Sequence, residues 1–477
     1  MKVEAKTGEN IIKYAHDNDI VSVDLKFVDL IGRWHHVTVP ASYLSERLFE
    51  KGIGFDGSQN PGYKTVEAGD MTLVPDPTTA QLDPFWDEPC LSLICDLHEA
   101  ETGERFSRDP RALAKRAESY LASLGNLDDL LLSPEFEFHI LDNVYYTSEQ
   151  NRCLFIVNAP EEEEGSHVSA AVVTPGYTLD RSAGYHVIPP LDRYYDLRTE
   201  ITRLVEASGI PVKYHHHEIG GSGQCEIEVL FDTLTKAADE CLWIKYLVRN
   251  AAYQSGYIAT FMPKPIFGEA GNGMHVHQYL GKPDKSLFYD KDGTAGLSDV
   301  GRHYVGGLLK HGRSLAAFAN PSTNSYKRLT PGYEAPVQLF YSRGNRSATV
   351  RIPEYAVNER EMRIEYRPGD ATANPYLMFA AMLLAGLDGI ANEIDPGDPV
   401  DEDLLKMSAR KRKKIPNLPK SLVAALDDLE TDYDYLLAGG VFTEDIIEAW
   451  IETKMEHDVR VLDRRPHPHE YVLYFDL

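Results

Sequence analysis

The run Ser133-Pro134-Glu135-Phe136-Glu137-Phe138-His139-Ile140 constrains this chain more than any other stretch. Aromatic and β-branched residues alternate with polar ones, the pattern of a strand. Residues two apart share a strand face. Glu135 and Glu137 therefore emerge together, while Phe136, Phe138 and Ile140 enter a core on the opposite side. Two adjacent carboxylates repel each other unless positive charge lies between them, and a divalent cation is the simplest source of it. An isolated Glu-x-Glu more often marks a solvated edge strand; the rest of the chain changes that balance.

Three further strands repeat the pattern. His215-His216-His217-Glu218 is followed by Glu226 across the 220–223 turn, and Met274-His275-Val276-His277 again sets two potential ligands on one face. Arg363, Glu365 and Arg367 share a face in the third. A single histidine is more often a hydrogen-bonded core residue than a ligand. Several strands, each offering two carboxylates or imidazoles, point instead to a metal centre. Oxygen-rich sets with an imidazole suit magnesium or manganese better than zinc. Arg328, Arg346, Arg351, Arg363 and Arg367 join them. Phosphoryl transfer needs that combination, because metal and guanidinium together spread the charge on the moving group. The glycines at 220–223 and 271–273 lack Walker or dinucleotide spacing and carry no phosphate-loop meaning.

The surrounding chain reads as α+β. A capped helix at 10–18 and strand signals at 20–27, 34–39, 71–74 and 91–96 make residues 1–105 a small, strand-rich domain. Asp109-Pro110 then starts a helix. Residues 106–477 mix helices at 111–124, 195–208, 233–255, 298–318, 376–393, 421–429 and 444–460 with strands at 130–141, 212–217, 224–230, 257–262, 274–279, 349–352 and 362–366. The net charge of −26 argues against a nucleic-acid or anionic membrane surface. Residues 1–10 are polar, and the most apolar helical stretch, 376–387, is far short of a membrane span and is closed by Asp388. The five cysteines form no Cys-x-x-Cys pair, which suits a reducing compartment. These features predict a cytoplasmic protein with no nucleic-acid and no membrane partner. The acidic run 161–164 and the basic run 410–414 both read as solvated surface.

The motifs Asp56-Gly57-Ser58, Pro134-Glu135-Phe136-Glu137-Phe138, Gly184-Tyr185, His216-His217-Glu218, Gly223-Gln224-Cys225-Glu226-Ile227 and Phe261-Met262-Pro263-Lys264-Pro265 occur in that order. Gly273-Met274-His275-Val276-His277, Asn324-Ser325-Tyr326-Lys327-Arg328, Pro331-Gly332-Tyr333-Glu334-Ala335-Pro336 and Asn345-Arg346-Ser347 follow. Together they resemble the type I glutamine synthetases, nearly end to end. The resemblance implies a small N-terminal β-grasp domain and a large catalytic domain with a curved antiparallel sheet and helices. It implies ATP-dependent ligation of ammonia to L-glutamate through γ-glutamyl phosphate, with two divalent cations, Mg²⁺ or Mn²⁺. By the same resemblance Glu137, Glu218 and Glu226 hold one metal, and Glu135, His275 and Glu365 the other. Tyr185, Phe231, His277, Arg346, Arg351 and Arg363 fall where ATP is handled. Gly271, Arg328 and Arg367 fall where glutamate is held. Glu334 falls on the flap that closes the site, and Asp56, from a neighbouring subunit, on the ammonium site. The implied assembly is a dodecamer of two stacked six-membered rings.

The chain departs from the family pattern in places. Gln59 follows Ser58 where a second serine is usual, Ala270-Gly271-Asn272-Gly273 replaces Asn-Gly-Ser-Gly, and Tyr279 replaces a small serine near ATP. A related ligase for a larger amine, such as a polyamine, is therefore the alternative, with a catalytically silent ring-forming homologue behind it. The carboxylates of Asp56 and Glu334 favour ammonia. Leu405 occupies the position where many bacterial relatives carry an adenylylated tyrosine, and residues 410–414 are basic where that loop is usually acidic. Control by feedback ligands or a nitrogen-regulatory protein is expected instead of adenylylation.

Overall fold

A computed structural model describes residues 1–159, 161, 177–221, 223–332, 334–402, 404 and 406–477. Leu405 and residues 162–164 of the acidic run lie outside the described residues. The strand expected at 130–141 spans Asp129–Leu141 and is central, not an edge. Gln224–Val229 pairs antiparallel on one side of it and Val276–Lys282 on the other. Beyond Val276–Lys282 come Ile364–Tyr366, Val350–Ile352 and Tyr341–Arg343, while Val212–His217 lies outside Gln224–Val229. Phe136, Phe138 and Ile140 are fully buried on one face. The other face collects the polar positions: Glu226 stands opposite Glu137, Glu228 opposite Glu135, and both His277 and Arg351 opposite Glu365.

A smaller sheet precedes it, in the order Trp34–Pro40, Ser22–Val28, Cys90–Glu99, Asp70–Pro75 and Ile53–Asp56. Ser22–Val28 runs parallel to Cys90–Glu99, and the other pairings along that path are antiparallel. Helix Pro110–Ser123 begins where the Asp109 cap and the proline predict. Its Arg111 donates to Asp76 and Asp96 of the small sheet's region and to Asp239 of helix Leu234–Gln254. Asn374, which caps helix Pro375–Ala391, also donates to the Leu30 carbonyl. These contacts seat the small sheet on the larger one, and a single apolar cluster runs through both. Helix Pro375–Ala391 is buried almost all round, as its unbroken apolar sequence requires. Among the described residues no helix is long and apolar enough to cross a membrane.

Several expectations need correction. The helix expected over 298–318 is two, Asp299–Lys310 and Gly312–Ala319, broken at His311. There the imidazole is clamped between Asp388 (2.8 Å) and Asp432 (2.9 Å) and stacks on Tyr435. Gly312 follows because a Cβ would meet the Leu339 side chain at 2.3 Å. Glu161, expected in a solvated run, is fully buried and bonded to His217 Nε2 at 3.0 Å. The hairpin of Asn143–Ser148 and Cys153–Asn158 and the strand Ile53–Asp56 have no counterpart in the sequence-based expectation. The basic run does lie at the surface, with helix Ala409–Arg412 at its start.

Candidate active site

The polar face of the large sheet opens into a cavity of about 510 Å³. Glu135, Glu137, Glu218, Glu226, His275, Arg328 and Arg367 all line it. Its charge is unevenly compensated. At one end Glu218 and Glu226 group with His216, with potential ligand atoms within 4.8 Å of one another. Burial pushes the Glu218 carboxyl well up, and the charges of Glu137 and Glu226 push it further. Burial likewise raises Glu226, reinforced by Glu135 and Glu137. The His216 imidazole, 3.3 Å from Glu226, does not offset these effects, and a hard divalent cation with oxygen ligands fits the deficit.

The other end is answered internally. Burial would raise Glu135, but hydrogen bonds to His275 Nδ1 (3.0 Å) and His277 Nε2 (2.8 Å) hold it well below the usual range. Burial opposes ionisation of Glu365 too, yet Arg367 holds it at about 2. Arg351 donates to the same carboxylate at 2.5 Å, and Arg367 donates to its other oxygen. Glu135, His275 and Glu365 form a second potential ligand group. Arg328 Nη2 lies 3.2 Å from His275 Nε2 while Nη1 donates to the Pro368 carbonyl, which fixes the guanidinium beside the cavity.

The loop 270–273 closes the floor. Gly273 N–H donates to Glu137 at 2.7 Å, and a Cβ on Gly273 would meet Arg328 Nη2 at 2.5 Å. Asn272 is fully buried: it donates to the Met262 carbonyl and its Oδ1 faces His139 and Gln224. Gly271 and Ala270 line the cavity. Tyr185, stacked on His186, and Arg346 border it, as does Glu334. Glu334 sits in the left-handed region at φ 55°, after Gly332 at φ 109°.

The residues expected to meet do not all do so. Glu137 stands outside the Glu218–Glu226 group, its Oε2 turned to Gly273. Asp56 is not among the residues lining this cavity; it is exposed at the end of Ile53–Asp56 and accepts from Ser58 N (2.9 Å) and Oγ (2.7 Å). Phe231 packs edge-on against Tyr279, whose side chain is buried core. Arg363 donates to the Glu361 carbonyl and to Tyr355 Oη. Two residues had no assigned role from sequence. His216 joins Glu218 and Glu226, and Glu228 groups with Glu135 and His277. Lys213 binds Glu228 through both oxygens, at 2.7 and 2.8 Å. The Glu226-x-Glu228 spacing repeats that of Glu135 and Glu137 and was the available signal for Glu228.

Two family models match the chain: "Glutamine synthetase, beta-Grasp domain" over residues 19–100 and "Glutamine synthetase, catalytic domain" over residues 107–474. Glutamine synthetase of Mycolicibacterium smegmatis is 45% identical over 481 residues, covering 99% of each chain. That of Streptomyces coelicolor is also 45% identical, over 99% of this chain and 100% of its own. Among solved structures, the Plasmodium falciparum glutamine synthetase superposes with a TM-score of 0.91 at 27% identity, covering 99% of this chain and 100% of its own. A GmaS–ADP complex superposes with a TM-score of 0.81 at 29% identity, covering 98% and 99%.

Proposed function

This chain belongs to the glutamine synthetase family, and from that we propose how its cavity performs the family's reaction. The reaction is the ATP-dependent synthesis of glutamine from glutamate and ammonia. The observation that carries the assignment of parts is the pair of undercompensated carboxylates, Glu218 and Glu226, facing an arginine-rich wall across one cavity. Glu218 and Glu226, with Glu137 turning from Gly273 to join them, would hold one divalent cation, and Glu135, His275 and Glu365 another, with His216 and Glu228 adjoining. When bound, Mg²⁺ or Mn²⁺ at these positions neutralises the ATP phosphates.

Arg328 and Arg367, with the Gly271 backbone, orient glutamate so that its side-chain carboxylate faces the γ-phosphorus. Tyr185, Phe231, His277, Arg346, Arg351 and Arg363 hold ATP and spread the charge of the transferring group. A carboxylate oxygen forms the new bond to phosphorus as the bond to ADP breaks, giving γ-glutamyl phosphate. Asp56 of an adjacent subunit takes a proton from ammonium, and the resulting ammonia attacks the acyl carbon as phosphate leaves. Glu334 closes over the site and keeps water from the intermediate. Asp56 being exposed and distinct from its own chain's cavity lining supports a site shared between subunits. A dodecamer of two stacked hexameric rings, a domain boundary near residue 105 and a cytoplasmic location complete the reading. The exposed basic run 410–414 offers a surface to a nitrogen-regulatory protein.

Amine-dependent ADP release by the purified protein tests this. Ammonium should support turnover, while methylamine and polyamines should not approach it. A polyamine working better than ammonium would overturn the reading in favour of the larger-amine ligase, which the relatives do not favour.

A further inference from the structure

A second cavity, of about 290 Å³, shares no lining residue with the candidate active site. It lies where the small sheet meets helices Pro110–Ser123 and Leu234–Gln254. Trp34, Trp243, Ile94 and Ile210 supply apolar walls. Two acceptors in the lining are poorly matched: Gln81 Oε1 is buried without a hydrogen bond among the described residues, and the buried Glu240 Oε1 has only a long ion pair with Lys236. Glu240 is 7% exposed. The nearest cation is Lys236 Nζ at 3.5 Å, which is half exposed and already paired with Asp232.

The neighbouring charges are answered from within. Arg111 donates to Asp76, Asp96 and Asp239. Lys26 donates to Asp24 and Ser92, and Glu118 accepts from Thr235 N and Oγ1. Buried acceptors without donors are uncommon in native proteins and call for an explanation. Burial raises the Glu240 carboxyl to about 8, with Asp232 adding to the rise and Lys236 failing to cancel it. An apolar pocket at a domain junction, with a few convergent polar groups, is the usual form of a small-molecule site.

We propose that this cavity is a second ligand site, for a small compound carrying a primary ammonium on a short apolar body. The ammonium donates to Glu240 and Gln81 as their missing partner. The apolar body lies against Trp34 and Trp243, over whose rings the Lys26 ammonium already sits at 6.0 and 5.7 Å. Occupancy braces the small sheet, which carries Asp56, against the helices behind the large sheet.

Binding of n-butylammonium to the full-length protein tests it, read by intrinsic tryptophan fluorescence and by calorimetry. A saturable response is expected in the wild type, none with n-butanol, and a loss of affinity of roughly tenfold or more in Glu240→Gln, the scale of a charge-assisted hydrogen bond. Trp243→Phe should diminish the optical signal while the heat of binding persists. Asp56→Ala should bind as the wild type does, which separates this site from the ammonium site. Gln81→Leu provides a second variant that leaves Glu240 intact, and it too should weaken binding. No saturable response in the wild type, equal binding of n-butanol, unchanged affinity in Glu240→Gln or Gln81→Leu, or loss of binding in Asp56→Ala would each overturn the proposal.

Discussion

Glu226 carries its charge at a cost that only a cation relieves, because Glu135 and Glu137 reinforce the effect of burial. Glu226→Gln should therefore act oppositely on activity and on metal-free stability. Mg²⁺-dependent synthesis should fall by at least about a hundredfold, since one anionic ligand is gone. The metal-free protein should melt higher than the wild type, since one repelling charge is gone. Near-normal turnover at ordinary Mg²⁺, or a lower metal-free melting temperature, would sink the ligand assignment. Lys245 is a separate case. Burial, with Arg249 adding to it, holds its ammonium down to about 8. The unfolded chain keeps that proton to higher pH, so between pH 8 and the ordinary lysine value the unfolded state binds more protons. Stability contributed by this residue rises with pH through that window, and the penalty stands in full below it. Lys245→Met forfeits the hydrogen bond to the Ala371 carbonyl and should still gain about 2 kcal/mol at pH 7. The gain should shrink at pH 10. Melting curves at the two pH values measure it; a difference independent of pH would refute the assignment.

At the scale of elements, the 270–273 loop shows how one substitution pattern redistributes roles. Asn272 is bonded to Met262 and faces His139 and Gln224, so its amide is not available to substrate. Ala270 lines the cavity with no polar side-chain atom to offer. Ala270→Asn should tighten glutamate binding by roughly 0.5–1.5 kcal/mol, one net hydrogen bond, visible as a lower KM for glutamate at unchanged KM for ATP. An unchanged or higher glutamate KM would mean that the loop does not contact glutamate through this position. The same loop explains why glycine recurs there: at Gly271 a Cβ would meet the Pro263 carbonyl oxygen at 2.4 Å.

At the scale of the whole molecule, Asp56 and Glu226 belong to different sheets, and the proposed site draws them from different subunits. Asp56→Ala should raise the ammonium requirement sharply and leave ATP affinity near normal. Mixed oligomers of Asp56→Ala and Glu226→Ala chains should recover activity, to roughly a quarter of wild type for random equal mixing in closed rings. No recovery would place both residues in one subunit's site. Leu405 has no hydroxyl to modify, so intact mass from nitrogen-rich cells should show no added AMP. An AMP adduct mapped to the peptide around Leu405 would overturn the placement of Leu405 at the modified position.

What the sequence determined by itself is local. Two-residue alternation set the central strand and sent Glu135 and Glu137 to one face, because strand geometry permits nothing else. The Asp109 cap and Pro110 announced helix Pro110–Ser123 for the same reason: the signal lies within one turn of its effect. What the tertiary structure decided depends on residues far apart in the chain. His311 breaks a helix because Asp432 reaches it from 121 positions away. Glu161 is buried because His217 waits across the fold. His216 and Glu228 enter the candidate site, and Glu137 turns from its group toward Gly273, through strand register and loop closure. The Glu226-x-Glu228 spacing marks Glu228 as facing the same way as Glu226, but not its partners, because cross-strand partners and the charge each site lacks are properties of assembled neighbours.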